Sequence, residues 1–292
     1  MRPSEGDWRA FSQNLLIRSV LWLALRLPYE TRVRLMGWIV SRIVSPLVGW
    51  NQRIAWNLNH VLPDLPQSEV RRLQRGVPDN AGRSLMEIYS AKEFSERLRE
   101  TALTGPGVAP FLEARKAGRP VVLVTGHIGN FDATRAVLFA NDHPLAALYR
   151  PMRNKRFNAH YVDALTSIGA PVYPADRRGI VKLARHLSEG GIMGILVDVF
   201  AVTGAQATFF GKPARTATTA AEWALKYDAL MVPIYGIRKP DGLSFEVHLD
   251  PPIAHAAPDG MTQALNDSLE AQTRAHLEQW FWIHRRWRKD KP

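Results

Sequence analysis

The sequence predicts an α/β fold: a central mixed, largely parallel sheet covered by helices on both faces, with N-terminal membrane-interface helices. Three observations predict it. From Gly105 onward, short apolar runs alternate with helical stretches, as in a sheet wrapped by helices. The run Val121–Thr125 is continuously apolar up to its last residue, as strands buried on both faces are. Ahead of Gly105 the chain is helical in character, and its first part is rich in Leu and Trp. The expected division is a membrane-associating helical segment over residues 1–52 and one catalytic domain over residues 53–292.

Within residues 1–52, Leu15-Leu-Ile-Arg-Ser-Val-Leu-Trp-Leu-Ala-Leu-Arg-Leu27 carries Arg18 and Arg26 and is followed by Pro28. Leu35 to Trp50 is interrupted by Arg42 and Pro46. Neither stretch reaches the ~18 uninterrupted apolar residues of a spanning helix. Small residues of a cleavage site are absent after the first stretch, which argues against a signal peptide. Leu and Trp with spaced arginines suit helices lying in the membrane interface, where arginine reaches anionic headgroups. The plainer reading is an amphipathic helical hairpin packed on the core.

Arg53 to Glu100 is helical and polar, punctuated by Pro63, Pro66 and Pro78. Strands are expected at Val121–Thr125, Leu145–Tyr149, Ala170–Tyr173, Ile192–Val197, Met231–Ile237 and Leu243–Leu249. Helices are expected at Phe131–Asn141, Asn154–Ser167, Ile180–Glu189, Thr216–Tyr227 and Met261–Gln279. The 292 residues, 46% hydrophobic, suffice for a large core. The chain has no cysteine, which excludes a disulfide framework and any thiolate ligand or nucleophile. A formal net charge of +11 calls for an anionic partner: nucleic acid, an anionic membrane, or an acidic substrate or carrier. Dinucleotide, Walker, G-x-S-x-G, RNP and zinc-finger patterns are absent.

The chemistry concentrates in Val121-Val-Leu-Val-Thr-Gly-His-Ile-Gly-Asn-Phe-Asp132, where a strand runs into a helix. Gly126 and Gly129 flank His127 and permit tight turns. Of the nine histidines, only His127 has an acid five positions on. Residues five apart on a regular helix point about 140° apart. The pair can therefore meet only with His127 in the turn and Asp132 in the first helical turn. That would gather an imidazole, a carboxylate and free N–H groups at a strand's C-terminal edge, where open α/β sheets bind ligands. The plainer reading is a surface histidine and an acid supporting the helix dipole.

Four further blocks extend the pattern. Gly126-His-Ile-Gly-Asn-Phe-Asp132, Tyr149-Arg-Pro151, Gly194-Ile-Leu-Val-Asp198, Phe209-Phe-Gly-Lys-Pro-Ala-Arg-Thr216 and Trp282-Ile-His-Arg-Arg-Trp287 occur in this order, with Arg53, Asn57-Leu58 and Pro63 upstream. Together they resemble the lipid A biosynthesis late acyltransferases of the lauroyl/myristoyl type, within the His-x4-acid glycerolipid acyltransferase group. The resemblance runs from about residue 50 to the C-terminus. It implies a membrane-associated O-acyltransferase at the cytoplasmic face of the bacterial inner membrane. The donor would be acyl carrier protein, or coenzyme A, as co-substrate without further cofactor. The acceptor would be a hydroxyl of a glycolipid such as a lipid A precursor. Anionic membrane lipids would be partners; nucleic acid would not. Phosphatidylinositol mannosides, ornithine-type lipids and lysophospholipids are the alternative acceptors.

In this reading His127 is the general base, since an unperturbed imidazole titrates near 6.5. Asp132 would hold its other ring nitrogen and fix the tautomer, so that no enzyme nucleophile or metal is required. Gly129 and Asn130 would supply oxyanion N–H groups. Arg150, Asp198, Lys212 and Arg215 would bind substrate, the last two at a helix start suited to phosphate. The plainer readings are a surface arginine for Arg150, a cap for Asp198 and core packing for Phe209 and Phe210. The C-terminal Trp280 to Lys289 mixes aromatics with bases, suited to headgroups or to docking on the core. Asp132 stands where lipid A enzymes commonly carry Glu, and Leu165 to Gly169 lacks an arginine common there; Arg177 or Arg178 would replace it. A metal hydrolase using His127, Asp132 and Asp198 is the second class considered, although zinc sites usually take three ligands with several histidines. A non-catalytic membrane- or nucleic-acid-binding protein is the third.

Overall fold

The computed structural model describes residues 5–152 and 154–287. Six helices come first. These are α1 (Glu5–Ala24), α2 (Tyr29–Ile39), α3 (Ser45–Leu47), α4 (Trp50–Val61), α5 (Gln67–Tyr89) and α6 (Ala91–Leu98). A π-helical turn, Val40–Val44, joins α2 to α3 directly ahead of Pro46. The α/β part follows: β1 (Leu103–Thr104), α7 (Val108–Lys116), β2 (Val121–Thr125), α8 (Phe131–Ala140), β3 (Leu145–Tyr149), α9 (Lys155–Ile168), β4 (Val172–Pro174), α10 (Arg177–Ser188) and β5 (Ile192–Leu196). The chain continues through β6 (Thr208–Phe209), β7 (Lys212–Pro213), α11 (Thr219–Lys226), β8 (Leu230–Arg238), β9 (Phe245–Leu249) and α12 (Pro258–Ala275).

Seven strands form one sheet in the order β1-β9-β8-β2-β5-β3-β4. Every pairing is parallel except β8 with β9. Helices cover both faces, as the sequence predicts. β2 lies between β8 and β5, and every one of its residues is buried, which is why it reads as a solid apolar run. From β2 the chain crosses to β3, and β5 later inserts between the two. The sheet therefore opens at the carboxyl ends of β2, β5 and β3, the place where ligands enter such folds.

Element ends differ from expectation for identifiable reasons. α10 starts three residues early because the Asp176 side chain caps it, accepting from the Gly179 N–H at 2.8 Å. α11 starts three residues late because Thr216 is bridged to Ala205 and buried. α12 stops at Ala275, and Gln279 beyond it pairs through its amide with both the N–H and C=O of Arg238, at 2.8 Å each. The short β1, the helix α7 and the β6–β7 hairpin were not anticipated.

The N-terminal helices divide their faces. Tyr29, Val33, Met36 and Val40 join the core cluster that holds β2 and α8. Arg32 is buried, donating to Ser90 Oγ at 2.9 Å and pairing with Glu93. Residue 52 lies inside the continuous helix α4. The other face of these helices leaves Leu15, Trp22, Leu23, Leu35, Trp38 and Leu47 exposed. Among the described residues, no helix is long and apolar enough to cross a membrane.

A buried ion pair fastens the helical layer to the sheet. Glu87 on α5 and Arg238 at the end of β8 form two hydrogen bonds, the Oε2–Nη2 one at 2.8 Å, and both residues are buried. Glu87 also accepts from Asn130 Nδ2 at 2.7 Å, and Arg238 Nε donates to Asn80 Oδ1 at 2.8 Å. Removing one partner of such a pair leaves the other charge stranded. Arg238→Met should lower the unfolding free energy by about 3–5 kcal/mol in urea melts.

Candidate active site

His127 and Asp198 meet because of strand register. β2 and β5 are parallel neighbours with Thr125 opposite Leu196, and each site residue lies two positions beyond. His127 Nδ1 and Asp198 Oδ1 are 2.8 Å apart. Asp198 Oδ2 accepts from the His127 backbone N–H at 2.7 Å and from Trp280 Nε1 at 2.9 Å. Burial alone would raise the Asp198 carboxyl, but the His127 ring, its N–H and nearby His284 reverse that and hold it well below the usual carboxylate range. The His127 side chain keeps 28% of its surface exposed, so the ring is fixed yet reachable.

Asp132 does not hold His127. It occupies the first turn of α8 as expected, but its carboxylate pairs with Arg135 one turn on. Arg135 in turn donates to the carbonyls of Leu165 (3.1 Å) and Gly169 (2.7 Å). Arg177 and Arg178, expected to stand in for the arginine that the Leu165–Gly169 segment lacks, stay exposed on α10. The Asp132–Arg135 pair instead ties α8 to the end of α9, and both residues line the same cavity as His127.

The Gly129 and Asn130 N–H groups are not oxyanion donors. That of Gly129 donates to Gln279 O at 3.0 Å, and that of Asn130 to Gly236 O at 2.8 Å. Gly129 is required there: its φ is +57°, and a Cβ would lie 1.9 Å from Gly236 O. Asn130 caps α8 through its side chain, which accepts from the Asp132 N–H at 2.9 Å. Arg150 is exposed and lines the cavity.

Lys212 and Arg215 are not at a helix start. Phe210 and Gly211, both with positive φ, form the tight turn of the β6–β7 hairpin, and α11 begins only at Thr219. Lys212 is exposed on that hairpin, Arg215 Nη1 donates to Val202 O at 2.8 Å, and neither lines the cavity. Phe209 and Phe210 are core, packed on the buried Trp280, Trp282 and Trp287. Those tryptophans therefore dock the C-terminal segment on the core rather than facing headgroups. Lys289 lies outside the described residues.

Two site neighbours escaped the sequence reasoning. The His284 ring stands edge-on to that of His127, with centroids 4.5 Å apart. Burial, with His127 adding to it, pushes His284 down to about 4, so it stays neutral at pH 7. The buried Asn57 donates to the carbonyls of Trp282 (2.6 Å) and His284 (2.9 Å), pinning the segment that carries the His284 ring. Both residues stand inside blocks that carried the resemblance, so their positions were flagged although their contacts were not.

The cavity beside His127 has a volume of about 260 Å³. Leu123, Leu145, Ala147, Leu165, Val172 and Ile234 make most of it apolar. A buried acid orienting an imidazole at the head of an apolar cavity suits transfer of a long apolar group.

The model of the bacterial lipid A biosynthesis acyltransferase family matches residues 10–289. The chain belongs to this family. It is 25% identical over 291 residues to a lipid A biosynthesis lauroyltransferase of Escherichia coli K12, covering 92% of this chain and 89% of that one. It is 24% identical over 227 residues to a phosphatidylinositol mannoside acyltransferase of Mycolicibacterium smegmatis, covering 73% and 74%. A Mycobacterium tuberculosis protein of the same description is 22% identical over 290 residues, covering 97% and 89%. The protein is an acyltransferase.

The two acids should separate on mutation. Asp198→Asn should lower kcat by about 10⁴-fold, as loss of a tautomer-setting carboxylate does. Asp132→Asn should show first as lost stability, about 3–5 kcal/mol, because it strands buried Arg135. Steady-state kinetics beside urea melts check both.

Proposed function

We propose that this acyltransferase moves a fatty acyl chain from a thioester, on acyl carrier protein or coenzyme A, to a hydroxyl of a glycolipid. The observation that carries this reading is the Asp198–His127 pair beside the apolar cavity. With Nδ1 turned to Asp198, Nε2 is the ring nitrogen left for substrate. It takes the proton of the acceptor hydroxyl as the oxygen attacks the thioester carbonyl. The tetrahedral intermediate then collapses, the C–S bond breaks, and the imidazolium returns its proton to the departing thiolate. Asp198 stabilises the imidazolium in between. No acyl-enzyme forms, because the substrate hydroxyl takes the place of an enzyme nucleophile. The acyl chain occupies the cavity. Arg150, exposed at its lining, is the donor best suited to the oxyanion or to a substrate phosphate.

The exposed Leu and Trp residues of α1 to α4 would rest in the interface of the bacterial inner membrane, at its cytoplasmic face, where carrier protein and lipid acceptor are both within reach. The net charge of +11 favours that anionic surface and an acidic carrier alike. A lipid A precursor is the first acceptor proposed. Phosphatidylinositol mannosides are the second, favoured by the mycobacterial relatives.

Mass spectrometry of lipids from cells with and without this protein should show one glycolipid differing by a single acyl group. Complementation with His127→Ala should fail to restore it, and restored acylation would refute the general base. Ala147→Phe, which fills the cavity from β3, should shift transfer toward shorter chains in a donor-length series. An unchanged length profile would place the acyl chain elsewhere.

A further inference from the structure

We propose that His127, Asp198 and His284 form an inhibitory binding site for a divalent transition-metal ion, with Zn²⁺ the best fit. Each residue offers one ligand atom, and the three atoms lie within 4.8 Å of one another. Two imidazoles and a carboxylate are the donor set of many open zinc sites. Zn–N bonds of about 2.0–2.1 Å require ligand atoms about 3.4 Å apart in a tetrahedron. The 2.8 Å between His127 Nδ1 and Asp198 Oδ1 would have to open, and any pair near the 4.8 Å limit to close, to reach that.

A second observation points the same way. His284 Nε2 is buried and has no hydrogen-bond partner. Buried ring nitrogens are normally satisfied, and an orphaned one held against two other donors is a ligand in waiting. The supporting shell also exists: Trp280 Nε1 fixes the carboxylate, and Asn57 fixes the backbone of His284. Of the three ligands, His127 lines the cavity and keeps 28% of its side-chain surface exposed, the side from which an ion or water would arrive.

Coordination removes the base whichever ring nitrogen of His127 is used. Bound through Nε2, the ion takes the lone pair that receives the acceptor's proton. Bound through Nδ1, it drives the ring proton onto Nε2, which then cannot accept another. Imidazole ligands select Zn²⁺ and its neighbours over Mg²⁺. Elsewhere, His248 lies 3.0 Å from Asp250 and 3.9 Å from Glu246, a group with a single imidazole.

Equilibrium dialysis of the full chain against ZnCl₂ tests the site without any lipid substrate, so its failure would leave the acyl-transfer reading standing. One tight ion per chain is expected, with a tetrahedral visible spectrum when Co²⁺ replaces it. Loss of a supporting residue alone typically costs about 10–100-fold in metal affinity. His284→Ala and Asp198→Asn should therefore each weaken binding at least about tenfold, while His248→Ala leaves it unchanged. Zn²⁺ should also inhibit transfer reversibly, with a chelator restoring the rate and Mg²⁺ having no effect. Absence of a tight ion, or equal affinity in folded His284→Ala and Asp198→Asn proteins, overturns the proposal.

Discussion

The Asp198 carboxylate is the constraint on which the site is built. It is a charge with no solvent contact, and such a group costs several kcal/mol to bury unless donors surround it. Three donors do: a ring nitrogen, a backbone N–H and an indole N–H. Hydrogen bonds to a charge contribute roughly 1.5–3 kcal/mol each, enough to offset that cost only if all are made. Each donor fixes something different. The indole holds the C-terminal segment, the backbone N–H holds the turn after β2, and the ring nitrogen holds the His127 imidazole. One carboxylate thus sets position and tautomer together.

The helical layer completes that arrangement from outside. Asn57 on α4 grips the carbonyls around His284, while Asn80 and Ser84 on α5 donate to Gly129 O at 2.8 and 3.3 Å. Glu87 on α5 holds Asn130 and Arg238 at once. The turn carrying His127 is therefore clamped between α5 and the end of β8. The helical layer whose far side exposes Leu and Trp thus also supports the turn that carries His127.

Much of this was legible. β2 and β3 could be placed to the residue, because a fully apolar run closed by Gly126, or by Arg150 and Pro151, has few other readings. His127 and the sheet edge followed from the same turn, and the family from the ordered set of blocks along the chain. What escaped was pairing across the chain. β5 lies beside β2 although β3 and β4 intervene, and nothing local announces that Thr125 will face Leu196. Asp132, near in sequence, was therefore read as the partner of His127, and Asp198 only as a substrate-binding residue. The oxyanion assignment failed similarly: free N–H groups are expected at a helix start, but Gln279 and Gly236, far along the chain, had already claimed them.

The spacing of the His-x4-acid pattern gains a physical meaning from this correction. An acid five residues after the histidine sits at the second position of α8, facing Arg135 one turn on rather than the imidazole behind it. Its carboxylate keeps one oxygen on Arg135 and the other buried without a partner, at the wall of the cavity. Arg135 spends its remaining hydrogen bonds on the end of α9. The acid thus sets how α8 and α9 close around the cavity, while Asp198 sets the base. In the proposed mechanism, a motif that looks like a catalytic pair divides here into one residue for the proton and one for the walls of the pocket.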